Sequence, residues 1–289
     1  MQAPPLWQVA ALTFIAMTFI VIGDTAGKLL TQNGISPLFV AWSRFALAAF
    51  VLLPFMGVSR ADLSIVSDRL VWLRALLIAG GIACIVTALR TETVANAFGA
   101  MFINPVVAYV LSALFLKERI TYTRSLLLGF GFFGVMLVVK PGFGFTPGVG
   151  FALAAGMLYG AFLTTTRAVA PRYRPRLLLI SQLLIGSVLL APLGLTAMPT
   201  SLTPGIAALI LLSALASAAG NLLVVMVSKT TDSTVIAPLV YLQLIAATGI
   251  GYLVFGDWPD WLTRIGLIVI LISGLAGLVL ARRTPPQVA

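Results

Sequence analysis

The sequence predicts an all-α integral membrane protein: ten transmembrane helices in two inverted five-helix repeats, with both termini cytoplasmic. Three observations carry that expectation. Hydrophobic residues make up 60% of the 289 and charged residues only 9%, with a mean hydropathy of +1.09. A soluble domain has roughly a quarter of its residues charged, and no soluble core could use so much apolar surface. Second, ten apolar runs follow one another, most of them near the roughly 20 residues a helix needs to cross the hydrocarbon layer. The third observation is an internal repeat.

In the first half Pro37, the pair Ser43-Arg44 and Pro54 are matched in the second by Pro175, Ser181-Gln182 and Pro192, with the same internal spacing. Downstream, Arg90-Thr91 is echoed by Lys229-Thr230, Glu118 by Asp257, and Thr123-Arg124 with Gly134 by Thr263-Arg264 with Gly274. The offset stays within about 137 to 140 residues along the whole comparison, the mark of a duplicated unit. The repeats fill residues 1–140 and 141–289 and form one membrane body. Five crossings per copy, an odd number, set the second copy upside down. A site between two antiparallel halves can then open to either side by exchange of their conformations.

Element by element, the runs are Trp7–Gly23, Pro37–Met56, Val71–Leu89, Val94–Leu116, Leu126–Val139, Val149–Thr166, Leu177–Met198, Gly205–Val227, Val235–Phe255 and Leu262–Ala281. The first has no cation before Asp24 and leads directly into a polytopic pattern, so it reads as a retained helix and not a cleaved signal. The fourth holds Pro105 near its centre, where a missing N–H frees a carbonyl one turn earlier. The fifth is short. In the ninth, Leu244 occupies the position of Pro105 and Pro238 lies six residues earlier, so the two halves are expected to bend at different depths. Continuous apolar runs, without alternation, argue against a barrel.

Cations set the orientation. With the N-terminus cytoplasmic, Arg60, Arg69, Arg74, Lys117, Arg119, Arg124, Arg167, Arg172, Arg174, Arg176, Lys229, Arg282 and Arg283 are inside. Only Lys28, Arg90, Lys140 and Arg264 are outside, thirteen against four. That asymmetry is a positive-inside signal. It accounts for the +10 formal charge through topology and lipid headgroup contact, not through a nucleic-acid partner.

Several chemistries are excluded or disfavoured. A single cysteine, Cys84, and no histidine leave no internal disulfide and no multi-cysteine metal site. No phosphate-binding Gly-x-x-x-x-Gly-Lys-Ser/Thr loop is present and the connections are too short for a nucleotide-binding domain, so no cofactor is expected. An intramembrane enzyme would need a nucleophile with a base, paired acids or metal ligands at depth, and none is evident. Asp24, Glu92, Asp232 and Asp257 all fall near the ends of runs. That argues for neutral or zwitterionic cargo and leaves facilitated flux and proton antiport equally open.

Polar groups at bilayer depth must face partners, water or substrate. Asn104, beside Pro105, lies at the centre of the fourth run, and Gln243 at the matching point of the ninth. They either line a substrate cavity or hydrogen-bond between helices. Thr18, Tyr159 and Asn221 are further candidates, Tyr159 as an aromatic face with a polar tip. Arg44 is the one strong charge well inside a run, about seven residues from its outer end. Three roles stay open for it: snorkelling outward, pairing with Asp24 or Glu92, or holding a substrate carboxylate bidentately. Gly23-x-x-x-Gly27, Gly156-x-x-x-Gly160 and Ser273-x-x-x-Gly277 give small faces. These serve close packing within the chain, or a homodimer through the tenth helix.

Ten helices in two copies, a Pro in each second helix, Pro105 in the fourth and an acid at its end, Glu118 in Leu-Lys-Glu-Arg, resemble the EamA group of the drug/metabolite transporter superfamily. The resemblance covers nearly the whole chain. It implies export or exchange of small metabolites across a bacterial inner membrane, with amino acids, aromatic ones included, among typical substrates. The expected function is thus a secondary transporter for small neutral or zwitterionic metabolites, working by alternating access. Antiport of phosphorylated metabolites or nucleotide sugars, drug export, a channel and an embedded enzyme are the alternatives.

Overall fold

The computed structural model describes residues 5–118, 120–139, 146–256 and 261–281. Arg119, Lys140, the 141–145 connection, Asp257, Arg282 and Arg283 lie outside the described residues, as do the side chains of Arg60 and Thr263. Among the described residues there are α-helices and 3-10 turns and no strands. The first copy contains α1 (Leu6–Gln32), α2 (Pro37–Leu52), α3 (Arg69–Thr91), α4 (Val94–Met101), α5 (Asn104–Phe115) and α6 (Tyr122–Val139). The second contains α7 (Pro147–Val169), α8 (Pro175–Leu195), α9 (Pro204–Thr230), α10 (Ser233–Val240), α11 (Gln243–Phe255) and α12 (Trp261–Ala281). Among the described residues, seven stretches are long and apolar enough to cross a membrane, among them Ala97–Phe115, which takes in most of α4 and all of α5.

Local chemistry sets the helix starts. Pro37, Pro147, Pro175 and Pro204 sit in the first turns of α2, α7, α8 and α9, where a missing N–H costs nothing. Thr146 and Thr203 accept the backbone N–H of Val149 and Ile206 as N-caps,. α1 runs nine residues past the expected end at Gly23, carrying Asp24 and Lys28 inside the helix. The charges do not stop it because each has a partner. Asp24 meets Arg44, and Lys28 Nζ donates to the Glu92 carbonyl at 2.7 Å. α6 spans 18 residues, longer than the expected fifth run.

The packing is reciprocal between the copies. α1 lies on α9 and its counterpart α7 lies on α3; α4 meets α11 and α10 meets α5; α2 pairs with its own counterpart α8, and α6 with α12. Counterparts run antiparallel. Along α6 and α12, Ser273 Oγ donates to the Leu127 carbonyl at 2.7 Å, while Gly134 faces Gly266 and Ile270. The Ser273 hydroxyl is therefore used within the chain.

Large apolar side chains cover the outside, with Leu253 80% and Phe50 79% exposed, as a hydrocarbon surround requires. The interior, in contrast, collects Asp24, Arg44, Arg74, Asn104, Gln182, Asn221 and Gln243.

The fourth and ninth segments are each broken, between α4 and α5 at Phe102-Ile103 and between α10 and α11 at Tyr241-Leu242. The breaks match in the repeat, contrary to the expectation of different depths. Pro105 removes the N–H that would reach Met101, and Asn104 Nδ2 takes that carbonyl instead at 3.0 Å,. In the second copy no proline stands at the break: the Leu244 N–H closes a tight turn onto the Tyr241 carbonyl at 3.1 Å. The two breaks meet, Phe102 and Tyr241 placing their ring centroids 5.6 Å apart. α7 approaches the first break at glycine, since a Cβ at Gly160 would stand 2.6 Å from the Asn104 carbonyl oxygen.

Candidate functional site

Between α2, α3, α8 and α9 lies a small cavity lined by Arg44, Gln182, Ser217 and Asn221 together with apolar residues, Phe45 and Ile82 among them. It is about 10 Å³, room for roughly one water,. Arg44 is 2% exposed and does not snorkel; its Nη1 donates to Asp24 Oδ1 at 2.5 Å. Its Nε and Nη2 have no partner. Those two N–H groups lie on one edge of the guanidinium, the fork that receives a carboxylate side-on. Gly23 makes room for that edge, because a Cβ there would stand 3.0 Å from Nη2.

Two residues of the same lining carry unpartnered acceptors. Gln182 Oε1 and Asn221 Oδ1 are buried without a donor, while Asn221 Nδ2 is held by the Ser217 carbonyl at 2.9 Å. A buried carbonyl oxygen left unpaired is costly, so the cavity offers two acceptors to a donor-rich ligand beside a fork for an acid.

Of the residues singled out in the sequence, Arg44 and Asn221 come together here. Gln182, which completes the cavity, was absent from the expected set, although the repeat sets it opposite Arg44. Asn104 and Gln243 do not line the cavity. Both are 1% exposed at the first positions of α5 and α11, their Oδ1 and Oε1 unpartnered, at the ends where a helix is partially positive. The Tyr159 hydroxyl is likewise buried and unpartnered, its ring 5.5 Å from that of Phe162. Thr18 stands apart, donating to the Phe14 carbonyl within α1 on a half-exposed face.

Two charge expectations need correcting. Asp24 is not at a segment end but enclosed, held there by Arg44. Nor is Arg44 the only cation at depth, because Arg74, counted among the inner flanking cations, is 0% exposed. Arg74 donates to Thr166 Oγ1 and the Leu178 carbonyl, each at 2.9 Å, and lies 5.0 Å from the Phe162 ring centroid.

Charge networks close both ends of the bundle. At one end Arg167 binds Asp232 at 2.5 Å and approaches Glu118 at 3.5 Å, which in turn accepts the Ser233 N–H. Nearby, Arg174 binds Asp62 at 2.6 Å. The backbone and hydroxyl of Ser59, donating to Asp62, hold its carboxyl below the usual carboxylate range. At the other end Lys28 joins the Glu92 carbonyl and stands 5.2 Å over the Phe255 ring, and the Thr146 hydroxyl donates to Glu92.

The model of the EamA-like transporter family matches this chain twice, over residues 7–140 and 146–279. The chain belongs to the EamA-like transporter family. This EamA-like protein is a multi-pass membrane transporter of small molecules and not an enzyme. Among its relatives is an S-adenosylmethionine uptake transporter of Rickettsia bellii, 27% identical over 82% of this chain and 81% of the relative. A riboflavin transporter of Rhizobium johnstonii is 25% identical over 81% and 78%. A solved crystal structure shares the fold with a TM-score of 0.74 at 19% identity, covering 94% of this chain and 98% of the other.

Proposed function

We propose that this EamA-like protein is an alternating-access carrier for small zwitterionic metabolites bearing an α-amino-carboxylate group, amino acids foremost, in a bacterial inner membrane. Ten crossings with both termini cytoplasmic frame this reading. The observation that carries it is that Arg44, with its Nε–Nη2 edge unpartnered, lines one cavity with Gln182 and Asn221, whose amide oxygens are also unpartnered. The fork takes the carboxylate and the amide oxygens take the ammonium. S-adenosylmethionine, the cargo named for the Rickettsia bellii relative, contains the same group. Asn104 and Gln243, at the starts of the half-helices, are the second tier of the site, and Tyr159 is offered to an apolar or planar side chain. The 10 Å³ cavity is too small for such a solute, so binding requires one end of the bundle to open.

Counterflow by purified protein in liposomes tests this, screened over phenylalanine, methionine, other amino acids, S-adenosylmethionine and riboflavin. Exchange of α-amino-carboxylate compounds is expected. Arg44→Lys should weaken their apparent affinity about tenfold to a hundredfold, because an ammonium lacks the planar fork. Exchange of riboflavin alone, or an unchanged affinity in Arg44→Lys, would overturn the assignment.

A further inference from the structure

Asp24 has a part in this site that binding alone does not require. It is not among the residues that line this cavity, yet its Oδ1 lies 2.5 Å from Arg44 Nη1, and Arg44 is the one charged residue among those described as lining the cavity. The second copy manages without such a pair. Gln182 stands where the arginine would, and α7, the counterpart of α1, contains no acid. The repeat therefore folds without the charges, and a buried ion pair adds little stability over a neutral replacement. The pair belongs to the cavity and not to the scaffold.

Charge counting gives its consequence. Asp24 and Arg44 cancel, so the cavity is neutral when empty and neutral again with a zwitterion inside. A carboxylate without an ammonium would leave one negative charge uncompensated away from water, and an amine without a carboxylate one positive charge; both are costly. We infer that Asp24 is a specificity-determining residue that, acting through Arg44, restricts the carrier to solutes that bring a carboxylate and an ammonium to the cavity together. The inference rests on the α-amino-carboxylate reading above. In Asp24→Asn the side chain keeps its size and its oxygen still accepts from Nη1. The empty cavity then carries one positive charge, and the solute that restores neutrality is a simple carboxylate.

The experiment measures competition against labelled phenylalanine counterflow by unlabelled phenylalanine, 3-phenylpropanoate (no ammonium) and 2-phenylethylamine (no carboxylate). If methionine exchanges faster in the screen, 4-(methylthio)butanoate and 3-(methylthio)propylamine take their places. In the wild type both analogues should compete about tenfold or more weakly than the amino acid. In Asp24→Asn the ratio of carboxylate to amino acid should move about tenfold towards the carboxylate, while the amine weakens further. A merely structural Asp24 would depress all three alike and leave the ratio unchanged, which overturns the inference. Should Asp24→Asn fail to melt cooperatively in detergent, the wild type decides, since a carboxylate competing as well as the amino acid also overturns it. No competition by any zwitterion in the wild type would sink the cargo reading as well, and so separates the two failures.

Discussion

Arg44 and Arg74 are both buried arginines, but the energetics around them differ. Arg44 neutralises Asp24, so Arg44→Met would strand a buried carboxylate, a change that typically costs about 3–5 kcal/mol. No acid lies within ion-pair distance of Arg74 among the described contacts, and one of its acceptors has another donor: the Leu178 carbonyl also receives the Ser181 hydroxyl at 3.1 Å. Arg74→Met replaces a desolvated cation with an apolar chain of similar length. Thermal melting in detergent is therefore expected to fall by several degrees for Arg44→Met and to hold or rise for Arg74→Met. Equal losses would mean that Arg74 has a charged partner in the fold. Residue roles were unevenly legible in the sequence. Pairing of Arg44 with Asp24 could be anticipated from their shared end of the bundle. The enclosure of Asp24 and Arg74 could not, because hydropathy marks where a run begins and ends and not which charges find partners inside the bundle. Gln182 was legible only through the repeat.

The decisive elements are the two broken helices. Each half-helix begins with an amide residue whose side-chain oxygen is unpartnered, Asn104 on α5 and Gln243 on α11, and the breaks abut through Phe102 and Tyr241. Such discontinuities near mid-membrane expose backbone polarity that a continuous helix would hide. Asn104→Leu combined with Gln243→Leu keeps approximate size and deletes that hydrogen-bonding capacity. Loss of a polar site contact costs roughly 1–3 kcal/mol, so apparent affinity in counterflow should fall about tenfold to a hundredfold in protein that melts normally. Unchanged counterflow would leave these amides as helix-to-helix packing only. Pro105 made the first break readable in advance, whereas the second was misread. Pro238 drew attention to the wrong depth, while Leu244, without any local signal, forms the turn because the matching half packs against it. Helix starts at proline and threonine caps were readable; ends extended through paired charges were not.

Over the whole molecule, the alternating access proposed above needs two interchangeable arrangements of the reciprocally packed copies, and the charge networks at the two ends are what each arrangement must break. One end is fastened by Arg167 with Asp232 and Glu118, the other by Lys28 on the Glu92 carbonyl. By the repeat, Arg167 is the counterpart of Lys28, so the same position fastens opposite faces in the two copies. With the orientation expected from the cations, the Arg167 end is cytoplasmic. A cysteine at Ser217, which lines the cavity, placed in a Cys84→Ala background, reports which face is open to a membrane-impermeant maleimide. Arg167 and Asp232 are partly solvent-exposed, so their pairing is worth about 1 kcal/mol at most. Arg167→Gln should therefore raise labelling from the cytoplasmic face about fivefold and lower it from the outside. Lys28→Met should do the reverse, since opening one end draws population from the other. Labelling raised on the same face by both substitutions would contradict alternation between inverted halves, and a clean reversal of the two faces would invert the orientation while leaving the mechanism standing.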